Sequence, residues 1–146
     1  MFWRSWQELS KQELYDLLQL RLAVFSVEQD CPYQDCDDLD QEAYHLLAYQ
    51  DSKLIGYLRV FESSAKYQGA ASIGRVCCCE SVRGSGFGKK MMLEAIKYCD
   101  ENFQKKISIS AQAYLRDFYH ELGFDVASVI YLEDGIEHIK MVREFS

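Results

Sequence analysis

Cys79-Glu80-Ser81-Val82-Arg83-Gly84-Ser85-Gly86-Phe87-Gly88-Lys89-Lys90-Met91-Met92-Leu93-Glu94-Ala95 joins a β-like apolar run to an apolar run at helical spacing. Its glycines fall at alternate positions, 84, 86 and 88. Lacking Cβ atoms, they admit positive φ and let backbone N–H groups converge on one point. Where such a loop opens a helix, unpaired amides and the positive end of the helix dipole form a phosphate site. Arg83, Lys89 and Lys90 add positive charge beside it. The segment reads as a cradle for a pyrophosphate group.

Two nucleotide motifs fail residue by residue. A Walker loop needs Gly-x-x-x-x-Gly-Lys followed by Ser or Thr, but Arg83 replaces the first glycine and Lys90 the hydroxyl residue. A dinucleotide fingerprint needs Gly-x-Gly-x-x-Gly, whereas the spacing here is Gly84-x-Gly86-x-Gly88. Arg-x-x-Gly-x-Gly fits, filled by Arg83, Gly86 and Gly88. A glycine-rich turn without a ligand is the alternative reading.

Outward from the loop, residues 71–79 form the strand that enters it, and 86–102 the helix that leaves it. That helix is expected to turn Met92, Leu93, Ile96, Tyr98 and Cys99 to the core. Upstream, 3–9 reads as a strand, and Ser10-Lys11-Gln12-Glu13 is a capping box that starts a helix. Leu14, Leu17, Leu18, Arg21, Val24 and Phe25 share its apolar stripe, so Arg21 needs a partner. Residues 44–50 and 54–62 read as a hairpin around Asp51-Ser52-Lys53, with a loop at 63–69. Downstream come a strand at 107–113, a short helix at 115–122 stopped by Gly123, and strands at 124–131 and 136–142. Glu133-Asp134-Gly135 between the last two is a tight-turn signal. The order β-α-β-β-β-α-β-α-β-β predicts a mixed sheet with helices on its faces.

A length of 146 residues predicts one domain, 1–146, able to bury a proper core. Apolar content of 49% with 14% aromatics excludes a disordered chain. No apolar run reaches the roughly 20 residues of a membrane span. The start, Met1-Phe2-Trp3-Arg4-Ser5-Trp6, lacks a signal-peptide core, so the cytoplasm is expected. Consecutive Cys77, Cys78 and Cys79 suit mutual bridging poorly, and Cys31 and Cys36 lack zinc-ligand spacing; reduced thiols and no metal are expected.

The net charge of −7 has one origin. Residues 28–42 carry seven of the 23 acidic residues and no Lys or Arg, while the other 16 acids balance the 16 bases. Nucleic acid, which needs a basic surface, is disfavoured as a partner. The acidic stretch reads either as a solvated loop or as an anionic funnel that concentrates cationic amines. Asp35-x-Asp37 lacks the glycine of a calcium loop.

Ala111-Gln112-Ala113-Tyr114-Leu115-Arg116-Asp117-Phe118-Tyr119-His120-Glu121-Leu122-Gly123-Phe124 resembles the "A…FYxxxGF" signature of the GNAT superfamily of acyl-CoA N-acetyltransferases. The stretches 17–35 and 133–138 are similar to its ElaA-like subgroup, so the resemblance spans essentially the whole chain. It implies a mixed, largely antiparallel six- to seven-stranded sheet flanked by helices. It also implies transfer of acetyl from acetyl-CoA to a primary amine by direct attack in a ternary complex. The acceptor would be a cationic amine, small or peptide-like. A non-catalytic acyl-CoA-binding or regulatory module with the same fold is the rival, and a homodimer stays open.

Carried over by position, the resemblance sets Val76, Cys77 and Cys78 against the pantetheine arm, and Arg83, Gly84, Ser85, Gly86, Gly88 and Lys89 around the phosphates. Tyr119 becomes the general acid toward the departing thiolate. Gln112 stands where many relatives have an Asn that contacts the cofactor arm, and the cysteines replace a more usual aliphatic run. Glu28, His45 and His138 are candidate bases acting through water; a structural histidine is the plain alternative for each ring. His120, beside Tyr119, is expected to face solvent. Cys78 has no partnered base, which favours packing over covalent chemistry.

Overall fold

A strand covered on both faces reads as an unbroken buried run, and 54–60 is such a run even though it contains Arg59. In the computed structural model, which describes residues 1–146, it forms the middle of β3 (Lys53–Ser64). The other elements are β1 (Phe2–Ser5), α1 (Lys11–Arg21), β2 (Tyr44–Gln50), β4 (Ala70–Cys78), α2 (Phe87–Asn102), β5 (Ile107–Gln112), α3 (Arg116–Glu121), β6 (Asp125–Val126), β7 (Tyr131–Glu133) and β8 (Ile136–Arg143).

The sheet runs β1-β2-β3-β4-β5-β8-β6, with β7 also pairing β8. Every pair is antiparallel except β4–β5, which α2 joins by a crossover. On one face α1 packs Leu17 and Leu20 against Leu47, Leu54, Tyr57 and Cys77. On the other, α2 and α3 pack Met91, Met92, Ile96 and Tyr119 against Leu46, Leu58, Val60 and Ile109. No helix is long and apolar enough to cross a membrane.

Local chemistry adjusts several boundaries. The first strand stops at Ser5 because Ser5 and Glu8 bond each other's backbone N–H, at 2.8 and 3.3 Å, and turn the chain. The capping box at Ser10 and Glu13 forms as read, with bonds of 2.9 and 3.0 Å. The helix continues past Arg21 in wide π-type turns, Leu22–Glu28, and the Cys31 N–H reaches back to the Ser26 carbonyl. Leu93, expected in the core, is 52% exposed; the buried stripe of α2 is Met91, Met92, Ala95, Ile96 and Cys99. The strand expected at 124–131 divides into β6 and β7, giving eight strands rather than six or seven. All six cysteines are free thiols.

Candidate active site

β4 and β5 pair only at Ala71–Ile107 and Ser72–Ser108. Beyond them β4 carries a bulge: its register with β3 jumps from Gly74 opposite Arg59 to Cys77 opposite Tyr57. Arg75, inside the bulge, has a φ of 52°, a left-handed geometry rare for a non-glycine residue. A bulge bends and twists its strand. Past it β4 and β5 diverge, and a cleft of about 950 Å³ opens between them. Because N–H groups alternate along a strand and that of Cys79 bonds Ile55 of β3, the Cys78 N–H faces the open side.

The glycine loop closes one end. Gly84 and Gly86 hold φ of 78° and 84°, and the Gly86 carbonyl accepts the first helical bond, from Lys90 N–H. The amides of Phe87, Gly88 and Lys89 therefore open α2 without helical partners. Gly56 on β3 seats them: a Cβ there would lie 2.6 Å from Met91 Sδ and 2.7 Å from Phe87 Cε2. Gly88, by contrast, has ordinary helical φ, and a Cβ would meet nothing nearer than Phe118 Cζ at 4.0 Å. The fold demands glycine at 84 and 86 and leaves 88 free.

Of the residues singled out from the sequence as coenzyme-binding or catalytic, Ser85 and His45 alone do not border the cleft; the Ser85 hydroxyl turns back to the Val82 carbonyl at 2.5 Å. Cys77 contributes main chain only, since its side chain is buried with Leu17, Leu20 and Tyr57 under α1. Burial raises the Cys78 thiol, so no free thiolate waits there. Arg83 donates to the Cys78 carbonyl at 3.2 and 3.0 Å and pairs with Glu28 at 2.7 Å, which ties up this candidate base. Gln112 exchanges amide hydrogen bonds with Gln29 at 3.4 and 3.2 Å, bridging β5 to the end of the first helix.

Tyr119 is 8% exposed, packed edge-on against Phe118 and Phe124. Burial pushes its phenol up to about 12, so it stays protonated. His138 sits on β8 opposite Gln112, stacked on Tyr131. Its Nδ1–H donates to the Ile136 carbonyl at 2.7 Å, which leaves the lone pair on Nε2. That nitrogen is 3.5 Å from Glu133 Oε2. His45 is elsewhere: its ring is fully buried, Nε2–H donating to the Asp40 carbonyl at 3.0 Å and Nδ1 accepting from the Tyr57 hydroxyl at 2.5 Å. It does not border this cleft and is a structural residue. His120 faces solvent, as expected.

The acidic loop is solvated only in part: Glu28, Asp30, Asp38 and Glu42 are exposed, while its other three carboxylates face arginines. Asp35 and Asp40 are buried, and with Asp37 they neutralise Arg21, Arg59 and Arg75. Arg21, the charge on the apolar stripe of α1, bonds Asp35 at 2.9 Å and Asp40 at 2.7 Å. Burial works against the Asp37 carboxyl, but hydrogen bonds and charge from Arg59 overcome it and hold the group down at about 2. The loop is thus pinned across the cleft, with Tyr33 lying over the Arg75 guanidinium. Carboxylates bordering the far end come instead from the β7–β8 hairpin, Glu133 and Asp134. Neither was singled out from the sequence, and neither was Lys66, whose Nζ lies 2.9 Å from Glu133. The Asp-Gly turn was the available signal, since its hairpin end must project beyond the sheet.

An open mixed sheet whose single parallel pair splays around a glycine-loop helix is a GNAT fold, built to hold an extended molecule between strands. This chain belongs to that family: the acetyltransferase (GNAT) domain family matches residues 7–145. The chain is 42% identical over 140 residues to Protein ElaA of Escherichia coli, covering 94% of this chain and 91% of that protein. The crystal structure of Escherichia coli ElaA superposes with a TM-score of 0.90, covering 98% of this chain and 99% of the other. An acyl-CoA N-acyltransferase from Pseudomonas aeruginosa, 39% identical, superposes at 0.91 over 97% of each chain.

Proposed function

We propose that the protein is an acetyl-CoA-dependent N-acetyltransferase that passes the acetyl group directly to a primary amine in a ternary complex. The observation that carries this reading is the one cleft that runs from the unpartnered amides of the glycine loop, past the open edge of β4, to a histidine with a free lone pair. Arg83, Gly84, Gly86, Gly88 and Lys89 would take the phosphates of the coenzyme, and Val76 and Cys78 its pantetheine arm. Ser85 shapes the loop through its own hydroxyl.

Transfer requires a neutral amine, a polarised thioester carbonyl and a stabilised leaving thiolate. His138 Nε2 takes the proton of the acceptor ammonium, directly or through water, and Glu133 compensates the imidazolium that forms. An open β4 amide meets the carbonyl oxygen as it gains charge; such donors contribute about 3–4 kcal/mol. A phenol near 12 is a poorer acid than a thiol of about 8.5. Tyr119 therefore stabilises the departing thiolate through a hydrogen bond, and little phenolate forms. Glu28 serves to anchor Arg83. The free thiols accord with a reducing compartment, the cytoplasm.

The test is the release of free thiol from acetyl-CoA against a panel of amines. Turnover that falls roughly 10²-fold or more in Tyr119→Phe, with coenzyme affinity retained, supports the enzyme. Tight coenzyme binding with no turnover across the panel would support a non-catalytic acyl-CoA-binding module instead.

A further inference from the structure

The carboxylate at the acceptor end of the cleft already holds an ammonium, one supplied by the chain itself. Lys66 stands on the turn Ala65–Tyr67 that follows β3, 67 residues from Glu133 in sequence, with its side chain 57% exposed. Its Nζ lies 2.9 Å from Glu133 Oε1. The same oxygen is 3.4 Å from the Ser110 hydroxyl, which is fixed in turn by the Tyr131 hydroxyl at 2.5 Å. The other carboxylate oxygen faces His138 Nε2 at 3.5 Å. Beside the pair lies the Tyr67 ring, its centroid 5.4 Å from Lys66 Nζ. A carboxylate, an aromatic face and a proton acceptor together make a socket for a primary ammonium.

Resting on the acetyl-transfer reading, we propose that this socket is the acceptor seat. An aliphatic primary ammonium displaces Lys66 from Glu133 and so brings its nitrogen beside His138 Nε2. The exchange replaces one ammonium by another on the Glu133 carboxylate. An exposed ion pair contributes little to the fold, so its loss opposes ligand entry weakly. In the next step an N–H bond of the acceptor breaks, an Nε2–H bond forms, and the resulting imidazolium pairs with Glu133. Lys66 cannot serve as the nucleophile while it is held there as a cation. Burial opposes its charge, but the bond to Glu133 outweighs this and raises its proton affinity.

The substrate class follows. The arginines that border the cleft are matched, Arg59 and Arg75 by Asp35, Asp37 and Asp40, and Arg83 by Glu28. Asp134 adds a further negative charge beside Glu133. The seat selects aliphatic amines that are cationic in water, and rejects alcohols.

Calorimetry on the protein saturated with unacylated CoA isolates binding from turnover; the probes are n-butylamine and 1,4-diaminobutane, with butan-1-ol as the uncharged control. Lys66→Ala is expected to tighten amine binding by up to about fivefold, by removing the internal competitor. Glu133→Gln is expected to weaken it by about tenfold or more. In the Glu133→Gln background, Lys66→Ala should have no effect, and CoA affinity should stay constant throughout. In steady-state assays the amine KM moves in Lys66→Ala while kcat holds. Unchanged or weaker amine binding in Lys66→Ala, an effect that survives Glu133→Gln, or butan-1-ol binding as well as the amines overturns the seat. Amine binding with the expected pattern but no acetyl transfer would instead refute the enzymatic reading and leave the seat standing.

Discussion

Arg21→Met removes a fully buried guanidinium while keeping most of the apolar stem that packs under the sheet. Three bonds disappear: to Asp35 Oδ2 at 2.9 Å, to Asp40 Oδ1 at 2.7 Å and to the Asp35 carbonyl at 2.9 Å. The cluster changes from three arginines against three aspartates to two against three, leaving one carboxylate charge uncompensated in a buried place. Breaking a buried pair from one side costs about 3–5 kcal/mol. Here Asp40 keeps Arg59 at 2.7 Å and Asp35 keeps Arg75 at 3.0 Å, which selects the lower end, about 3 kcal/mol. For a domain of this size that is a fall in Tm of roughly 6–12 °C. Urea unfolding followed by circular dichroism measures it at pH 7. Adding Asp40→Asn restores the balance of charge, so the double variant should be less destabilised than the sum of the singles by about 1 kcal/mol or more. The deficit should also narrow toward pH 4, where a proton can neutralise the orphaned carboxylate. A loss under about 1 kcal/mol, or strict additivity, would refute the view of the loop as a charge-balanced buried cluster.

Two further outcomes test the loop and the buried titratable groups. Gly88→Ala should fold with unchanged stability, because its Cβ has room, yet weaken CoA binding by about tenfold or more where the coenzyme passes close to the helix start; differential scanning calorimetry and CoA titration separate the two effects. Stability should fall on acidification in two stages. Burial depresses His45 below its unfolded value, so its contribution is present above about pH 6.5 and declines as pH falls below that, since the unfolded chain binds the proton more readily. Asp37, held at about 2 against 3.8 when free, contributes about 1–2 kcal/mol above pH 4 that is lost toward pH 2, after allowance for its partial exposure. Equilibrium unfolding between pH 8 and 2 checks both, with His45→Gln expected to flatten the first stage.

Some features of the site were legible because they depend on neighbours in the chain. The glycine loop, the capping box at Ser10 and the Asp-Gly hairpin are local conformational demands, and each forms where its residues indicate. Arg21 on an apolar stripe declared that a partner existed, but not which one. Glu133 was legible as part of a turn and Lys66 as part of a loop, but only the pairing of β7 with β8 and the reach of the turn after β3 bring them to one point. His45 and His138 look alike in sequence. One is sealed under the acidic loop and the other presents Nε2 at the cleft, a difference set by strand register and sheet face.

The sequence by itself indicated most of the element order, the family and the glycine loop that opens α2, because short-range periodicity and backbone freedom are encoded residue by residue. Tertiary structure alone decided which carboxylates of the acidic segment are buried against arginines. Seven carboxylates in a row of fifteen residues carry the same formal charge whether solvated or buried. Three of them were set apart only when folding placed three arginines, from α1, β3 and β4, within hydrogen-bonding reach of Asp35, Asp37 and Asp40. Coulomb attraction depends on distance in space, and separation along the chain does not report it.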